Sequence, residues 1–336
     1  MKHLKSITVT ALAALMLCSP KAGAQPFVVP TPNELGKALG FTDAEVARIE
    51  AGEIVSKDLK EVSDKELAGV VAVYFKNPLN EIAELAMQAK MLETDKKTQA
   101  FHTWEPAAPT DEAFAGLKLA ATETDEAKLF ARAAAGQKLN LSAAEIEQFR
   151  QVPGNPAAVS AQLQTMLKAR YEAYRKSGLS GIAPYARGGS ETASPARSLE
   201  LAIKETMKGS RLPDFYQSVL DYPAKPVAKV EHRFFWIKQE VEDRPTFILS
   251  HRSSLQGTNA ALLVEEQFYV GHSYNANVVV AGALSVTGGS LVFYVNRTFT
   301  DQVAGFGSSL KHKIGRGQML DQVKANLERA RKQFQK

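Results

Sequence analysis

Five strand-like runs crowd into the stretch from Val230 to Arg297, and the short links between them make antiparallel pairing the economical arrangement. They are Val230–Gln239, Thr246–Ser253, Ala261–Val270, Tyr274–Leu284 and Ser290–Arg297, all rich in β-branched and aromatic residues. Gly288-Gly289-Ser290 reads as hairpin chemistry rather than a phosphate loop. A meander of this kind needs an apolar cover, and the sequence supplies one directly after it. Helical turns are predicted over Gln302–Ile314, then a longer helix over Gln318–Phe334. There Leu320, Val323, Leu327, Ala330 and Phe334 recur at i+3/i+4 spacing, a stripe that packs on a sheet.

Further strands are predicted upstream, at Glu53–Lys60, Leu67–Lys76 and Thr98–Trp104. Pro26–Pro32 reads as an extended leader. Thr42 with Glu45 forms a capping box opening a short helix that runs through Ile49 and ends near Gly52. Asn77-Pro78 is expected as cap and first residue of another, with Ile82, Leu85, Ala86 and Ala89 at helical spacing. From Asp111 to Leu220 the pattern turns helical. Segments are expected at Asp125–Ala135, after a Ser142/Glu145 cap, at Ala157–Lys176, at Pro195–Met207 and at Leu212–Leu220. The Gly- and Ser-rich stretch Gly178–Ser194 reads as a loop. The predicted class is therefore α+β, a curved antiparallel sheet packed on a long C-terminal helix and carrying a largely helical insertion. Its parts are a leader (1–24), an N-terminal contribution to the sheet (25–110), the helical insertion (111–222), and the meander with its helix (223–336).

The leader has its own signature. Lys2 and Lys5 precede the apolar run Ile7–Leu17, and Ala22-Gly23-Ala24 offers small residues for cleavage before Gln25. The run is about half of the ~20 residues that span a bilayer. Leu17 stands where a lipobox before Cys18 needs a small side chain. A periplasmic or secreted protein is expected. Cleavage would remove the single cysteine, and with it any disulfide or thiol chemistry. It would also remove Lys2, Lys5 and Lys21, lowering the net charge from +5 to +2. The remaining basic character sits beyond Gly305, where eight Lys or Arg face Asp321 and Glu328. Such a tail reads either as a solvated helix face or as a peripheral contact with anionic membrane, worth about 1 kcal/mol per cation near the surface. Nucleic acid is not an expected partner.

The order of strands, helical insertion, meander and C-terminal helix resembles the helix-grip fold of START-like lipid-transfer domains. That resemblance implies an apolar cavity between a curved sheet and the last helix. The stretches EHRFFWIKQ (231–239), GHSYNANVVVAGAL (271–284) and VFYVNRTFTDQVAGFGSSLKHKI (292–314) also resemble an uncharacterised family of secreted bacterial proteins. The likeness runs from about Gly40 to the C-terminus and implies no activity. Those proteins carry a cysteine pair around Gly136, where this chain has Ala133 and Lys138.

P-loop, nucleophile-elbow, zincin and dinucleotide signatures are all missing from the sequence. What remains is polar residues set in apolar strands. His251 shares strand parity with Phe247 and Leu249, His272 with Phe268 and Val270, and Arg297 with Leu291, Phe293 and Val295. Glu231 and Asp301 are their expected partners, either fixing a histidine tautomer for acid–base work or pairing with Arg297. A structural salt bridge Arg297–Asp301 and satisfied core histidines are the plainer alternative. Nothing in the spacing demands a metal or cofactor. Phe235, Trp236, Tyr269, Tyr274 and Phe293 are candidates to line an apolar pocket, or plain core. The leading expectation is a carrier for an apolar small molecule or lipid. The alternatives are a hydrolase or isomerase built on the histidines and carboxylates, and an envelope interaction protein that docks through its helical segment.

Overall fold

A computed structural model describes residues 29–335, apart from 106–110, 209–211, 225, 226, 228 and 306. The leader, with Cys18 and the cleavage point near Ala24, lies outside the described residues, as do the first residues of the 26–32 stretch.

The chain opens with two short helices, α1 (Pro32–Ala38) and α2 (Asp43–Glu50), each started by a capping box: Thr31 with Glu34, and Thr42 with Glu45. Strands β1 (Val55–Asp58) and β2 (Glu66–Phe75) follow. Helix α3 (Leu79–Met87) comes next, and its N-cap is Pro78 rather than Asn77. A 3-10 turn (Lys90–Thr94) leads to β3 (Thr98–Trp104). The helical segment contains α4 (Asp111–Phe114), α5 (Thr124–Ala131), α6 (Ala143–Arg150) and α7 (Pro156–Ser177). The stretch expected as a loop carries a small hairpin, β4 (Tyr185–Gly188) and β5 (Glu191–Ala193). Helices α8 (Pro195–Thr206) and α9 (Pro213–Leu220) complete the segment. The meander is β6 (Glu231–Val241), β7 (Arg244–Gln256), β8 (Ala260–Val270), β9 (Ala276–Val286) and β10 (Gly289–Phe299).

The final helix, α10 (Ser308–Phe334), is one continuous element of 27 residues. The expected break between Ile314 and Gln318 does not occur, and Gly315 and Gly317 lie inside the helix. A Cβ at Gly315 would sit 3.0 Å from the Leu67 side chain, so the glycine permits helix and strand to approach closely. Gly69 does the same from the strand side: a Cβ there would lie 2.6 Å from Leu320.

The fold is α+β, as expected. Eight antiparallel strands form one sheet in the order β1-β2-β10-β9-β8-β7-β6-β3. The N-terminal strands therefore bracket the meander, with β2 beside β10 and β3 beside β6.

Both faces of this sheet are covered. On one, the apolar sides of α1, α2 and α5–α8 pack in a continuous core with Val70, Phe234, Leu249, Val264, Val280 and Phe293. On the other lie α3, the 3-10 turn and α10. Their contacts split into two separate apolar clusters. Val71, Val73, Phe75, Ile82, Val292, Leu320 and Leu327 form the first, while Ala89, Phe235, Ile237, Ile248 and Val270 form the second. The gap between them is the candidate site.

Candidate functional site

Between the two clusters the sheet and its covering helices touch only through a few side chains, such as Arg252 against Ala86 and Thr298 against Met319. Sheet and helices enclose a cavity of about 810 Å³, within the size range of small-ligand sites. One wall is apolar and helical: Ile82, Ala83 and Met87 of α3, Met91 and Leu92 of the 3-10 turn, and Met319, Val323, Leu327 and Ala330 of α10. Thioethers suit an adaptable apolar wall because they repack at little cost.

The opposite wall is the sheet, and its centre is polar. Strand register aligns Ser250, Gln267, Asn277 and Thr298 across β7–β10 in one row. The adjacent row carries Arg252, Glu265, Val279 and Asn296. Arg252, Glu265, Gln267, Asn277 and Asn296 are all buried. Arg252 Nε and Nη2 donate to Glu265 Oε2 at 2.8 and 2.7 Å, and Nη1 donates to the Ala86 carbonyl of α3. The guanidinium also lies 4.4 Å over the Phe235 ring. Ser250 Oγ and Gln267 Nε2 each donate to Glu265 Oε1 at 3.3 Å, and Tyr274 Oη donates to Gln267 Oε1 at 2.8 Å. Thr298 Oγ1 donates to Asn277 Oδ1 at 3.2 Å. Among the described residues no protein group accepts from the amide nitrogens of Asn277 and Asn296 or from the Tyr294 hydroxyl. Burial raises the Tyr274 and Tyr294 hydroxyls above the ordinary phenol range, so both keep their protons as donors. The band is thus net neutral, its one cation and one anion paired with each other, and it still offers hydrogen-bond donors to the cavity.

The residues singled out from sequence fall in several places. Tyr274 lines the cavity, and Phe235 stands beneath Arg252 on the same face. Trp236, Tyr269 and Phe293 belong to the core on the opposite face and do not line the cavity. Glu231 sits exposed at the start of β6, on the cavity rim. The other four polar candidates do not converge. Arg297 pairs with Glu66, Nη1 to Oε1 at 2.7 Å, and not with Asp301 or Glu231. Asp301 instead accepts from Arg187 Nε and Lys65 Nζ, both at 2.8 Å. Those hydrogen bonds outweigh the cost of burial and hold its carboxyl below the ordinary range. Arg187 also donates to the Gly136 carbonyl and to Asn140 and Asn275, tying the helical segment to the end of the sheet. His272 lies beyond the end of β8, between Thr246 Oγ1 at 2.6 Å and Ser273 Oγ at 2.7 Å. Burial, aided by Arg244, pushes its imidazole down to about 4.

His251 has the parity expected of it, facing the helical segment. Its Nδ1 lies 2.9 Å from Tyr174 Oη, which donates to Glu266 Oε2 at 3.0 Å, and its Nε2 lies 3.0 Å from His232 Nδ1. Because Tyr174 donates onward, a proton on His251 Nδ1 completes the chain. Burial pushes His251 down to about 3 and Glu266 up to about 8, so both are neutral at pH 7. The carboxylate partner of this histidine is Glu266, which neither Glu231 nor Asp301 replaces. Tyr174, His251 and Glu266 are all buried, and none of them lines the cavity.

The chain matches no protein-family model, no curated protein and no solved structure. The geometry of the cavity therefore carries the functional reading.

Proposed function

We propose that the protein is an exported carrier that holds an apolar or amphipathic small molecule, such as a lipid, between its sheet and its C-terminal helix. The observation that carries this reading is the cavity itself. Helices line it with methionine and aliphatic groups, and it is open to the unpartnered donors of one polar band. An apolar body would replace water against α3 and α10, a gain of about 25 cal/mol per Å² buried. The polar band would orient one end. The lining favours binding over turnover: Glu265 is tied to Arg252, and no histidine or cysteine stands among the lining residues. In this reading the sheet and α10 act as the two jaws of a helix-grip domain.

Delivery would involve the first turns of α10. Leu310 and Ile314, 62% and 52% exposed, stand one turn apart beside Lys311 and Lys313. Most other cations of this helix are matched on the protein, among them Arg316 by Asp58 and Glu61, Arg331 by Glu328 and Lys324 by Asp321. The apolar pair and its two lysines would meet an anionic membrane surface.

Native mass spectrometry with lipid extraction, on protein purified from the periplasm of its source, tests the carrier reading. An apolar molecule should co-purify in stoichiometric amount. A clean apo mass, together with no thermal stabilisation by any added lipid, would sink it.

A further inference from the structure

We infer that the cavity selects amphiphiles whose polar head is uncharged, a hydroxyl- or amide-bearing group, and discriminates against fatty-acid anions. This rests on the carrier reading above and names the ligand class of the same site. The inference comes from the charge and hydrogen-bond balance of the polar band. Its one cation, Arg252, is matched by Glu265 at 2.7–2.8 Å, and all three guanidinium nitrogens already donate within the protein. A carboxylate head placed there would meet Glu265 with no unmatched cation to receive it, and a buried charge without a partner is costly. The rim repeats the bias: Glu84, Glu231, Glu240 and Glu242 outnumber Lys97 and Lys229.

What the band does offer suits a neutral head. The Asn277 and Asn296 amide nitrogens and the Tyr294 hydroxyl belong to cavity-lining residues and serve as donors, Asn296 standing two residues along the ladder from Asn277 and Tyr294 two further. The Asn277 and Asn296 carbonyl oxygens lie 3.2 and 3.4 Å from the Thr298 hydroxyl, whose single proton serves one of them at a time. Each keeps a lone pair for a ligand hydroxyl. A head with hydroxyls as both donor and acceptor satisfies these groups; a carboxylate satisfies the donors alone and leaves its charge unmatched.

Equilibrium dialysis of the delipidated full-length mature protein at pH 7.5 distinguishes the cases. Three probes share one alkyl length and are used below their critical micelle concentrations: 1-monolauroylglycerol, laurate and dodecyltrimethylammonium. Monolauroylglycerol should bind at least tenfold more tightly than either charged probe. Asn277→Leu with Asn296→Leu should erase most of that advantage while leaving the melting temperature near that of the parent. Glu265→Gln should unmatch Arg252 and raise laurate affinity at least tenfold, with monolauroylglycerol changed less than threefold. Tighter binding of laurate or of the cationic probe by the unaltered protein would overturn the headgroup inference and leave the carrier reading standing. Binding of none of the three would overturn both.

Discussion

The two faces of one sheet, built from alternate residues of the same strands, are packed to different ends. The face under the helical segment is packed: aromatic and aliphatic side chains form one continuous core, and its polar groups are buried inside it. Some are joined, as in Arg297–Glu66 and His251–Tyr174–Glu266, and others, such as the Tyr171 and Tyr269 hydroxyls, are left without a hydrogen-bond partner among the described residues. The face under α10 is bridged at two places and open between them, and its polar groups keep donors turned to the opening. Neighbouring residues on one strand can therefore differ wholly in role. Val280 is core, while Ala281 borders the cavity. Burial on both sides makes the sheet rigid, and leaving one side incompletely filled creates room for a ligand.

Substitutions on the filled face should cost stability most. Arg297→Ala strands the Glu66 carboxylate in the core and should destabilise the fold by roughly 3–5 kcal/mol, measured by urea unfolding. A change below about 1 kcal/mol would mean that this face is less tightly locked than described.

Titration should separate the groups of the same face. Glu266 has its pKa raised to about 8 in the folded protein, against an ordinary value of 4.5. Its contribution is intact below pH 4.5 and is lost as pH rises from there towards 8. Glu266→Gln should therefore stabilise the protein at pH 8 by an amount on the order of 4 kcal/mol, and change little at pH 4.5. His232, His251 and His272 are lowered to about 4, 3 and 4, so stability should fall as pH drops below 6.5 in parent and variant alike. Melting temperatures from pH 4 to 9 check both limbs. An alkaline limb of equal slope in the variant would remove Glu266 as its source.

A matched pair of enlargements sharpens the contrast between the faces. Val280→Phe overfills the packed side and should cost about 1–3 kcal/mol with little effect on ligand. Ala281→Phe, one residue along, projects into the cavity; it should cost less than about 1 kcal/mol and abolish binding of monolauroylglycerol. Equal stability losses for the two would erase the difference between the faces. The smallest effect is expected at the surface. Leu310→Glu with Ile314→Glu should change stability by less than about 0.5 kcal/mol and reduce co-sedimentation with anionic vesicles several-fold. Unchanged sedimentation would remove this patch from the membrane reading.

Much of the scaffold was legible. Capping boxes at Thr42 and Ser142 mark helix starts, the β-branched runs mark strands, and the α10 stripe turns Leu320, Leu327 and Ala330 inward. The inward parity of His251 and Arg297 was legible too, because period-two alternation is local. Their partners were not. Glu66 lies 231 residues from Arg297 and reaches it only because β2 pairs with β10. Trp236, Tyr269 and Phe293 looked as eligible for the pocket as Tyr274, since aromatic content does not say which face is filled. Arg252, Glu265, Gln267, Asn277 and Asn296 were missed because polar residues alternating with apolar ones read as a solvated strand face. One signal was available: this face of β8, β9 and β10 carries no lysine, although solvated strand faces usually do.

The chain's sequence by itself determined which segments become helix and strand, and which residues of each strand travel together, because dihedral preference and alternation act over a few residues. Only the tertiary structure decided what covers each face. The covers of the polar band, α3, the 3-10 turn and α10, come from opposite ends of the chain. Whether they close on the sheet or stop short of it depends on the volumes of side chains that meet only after folding.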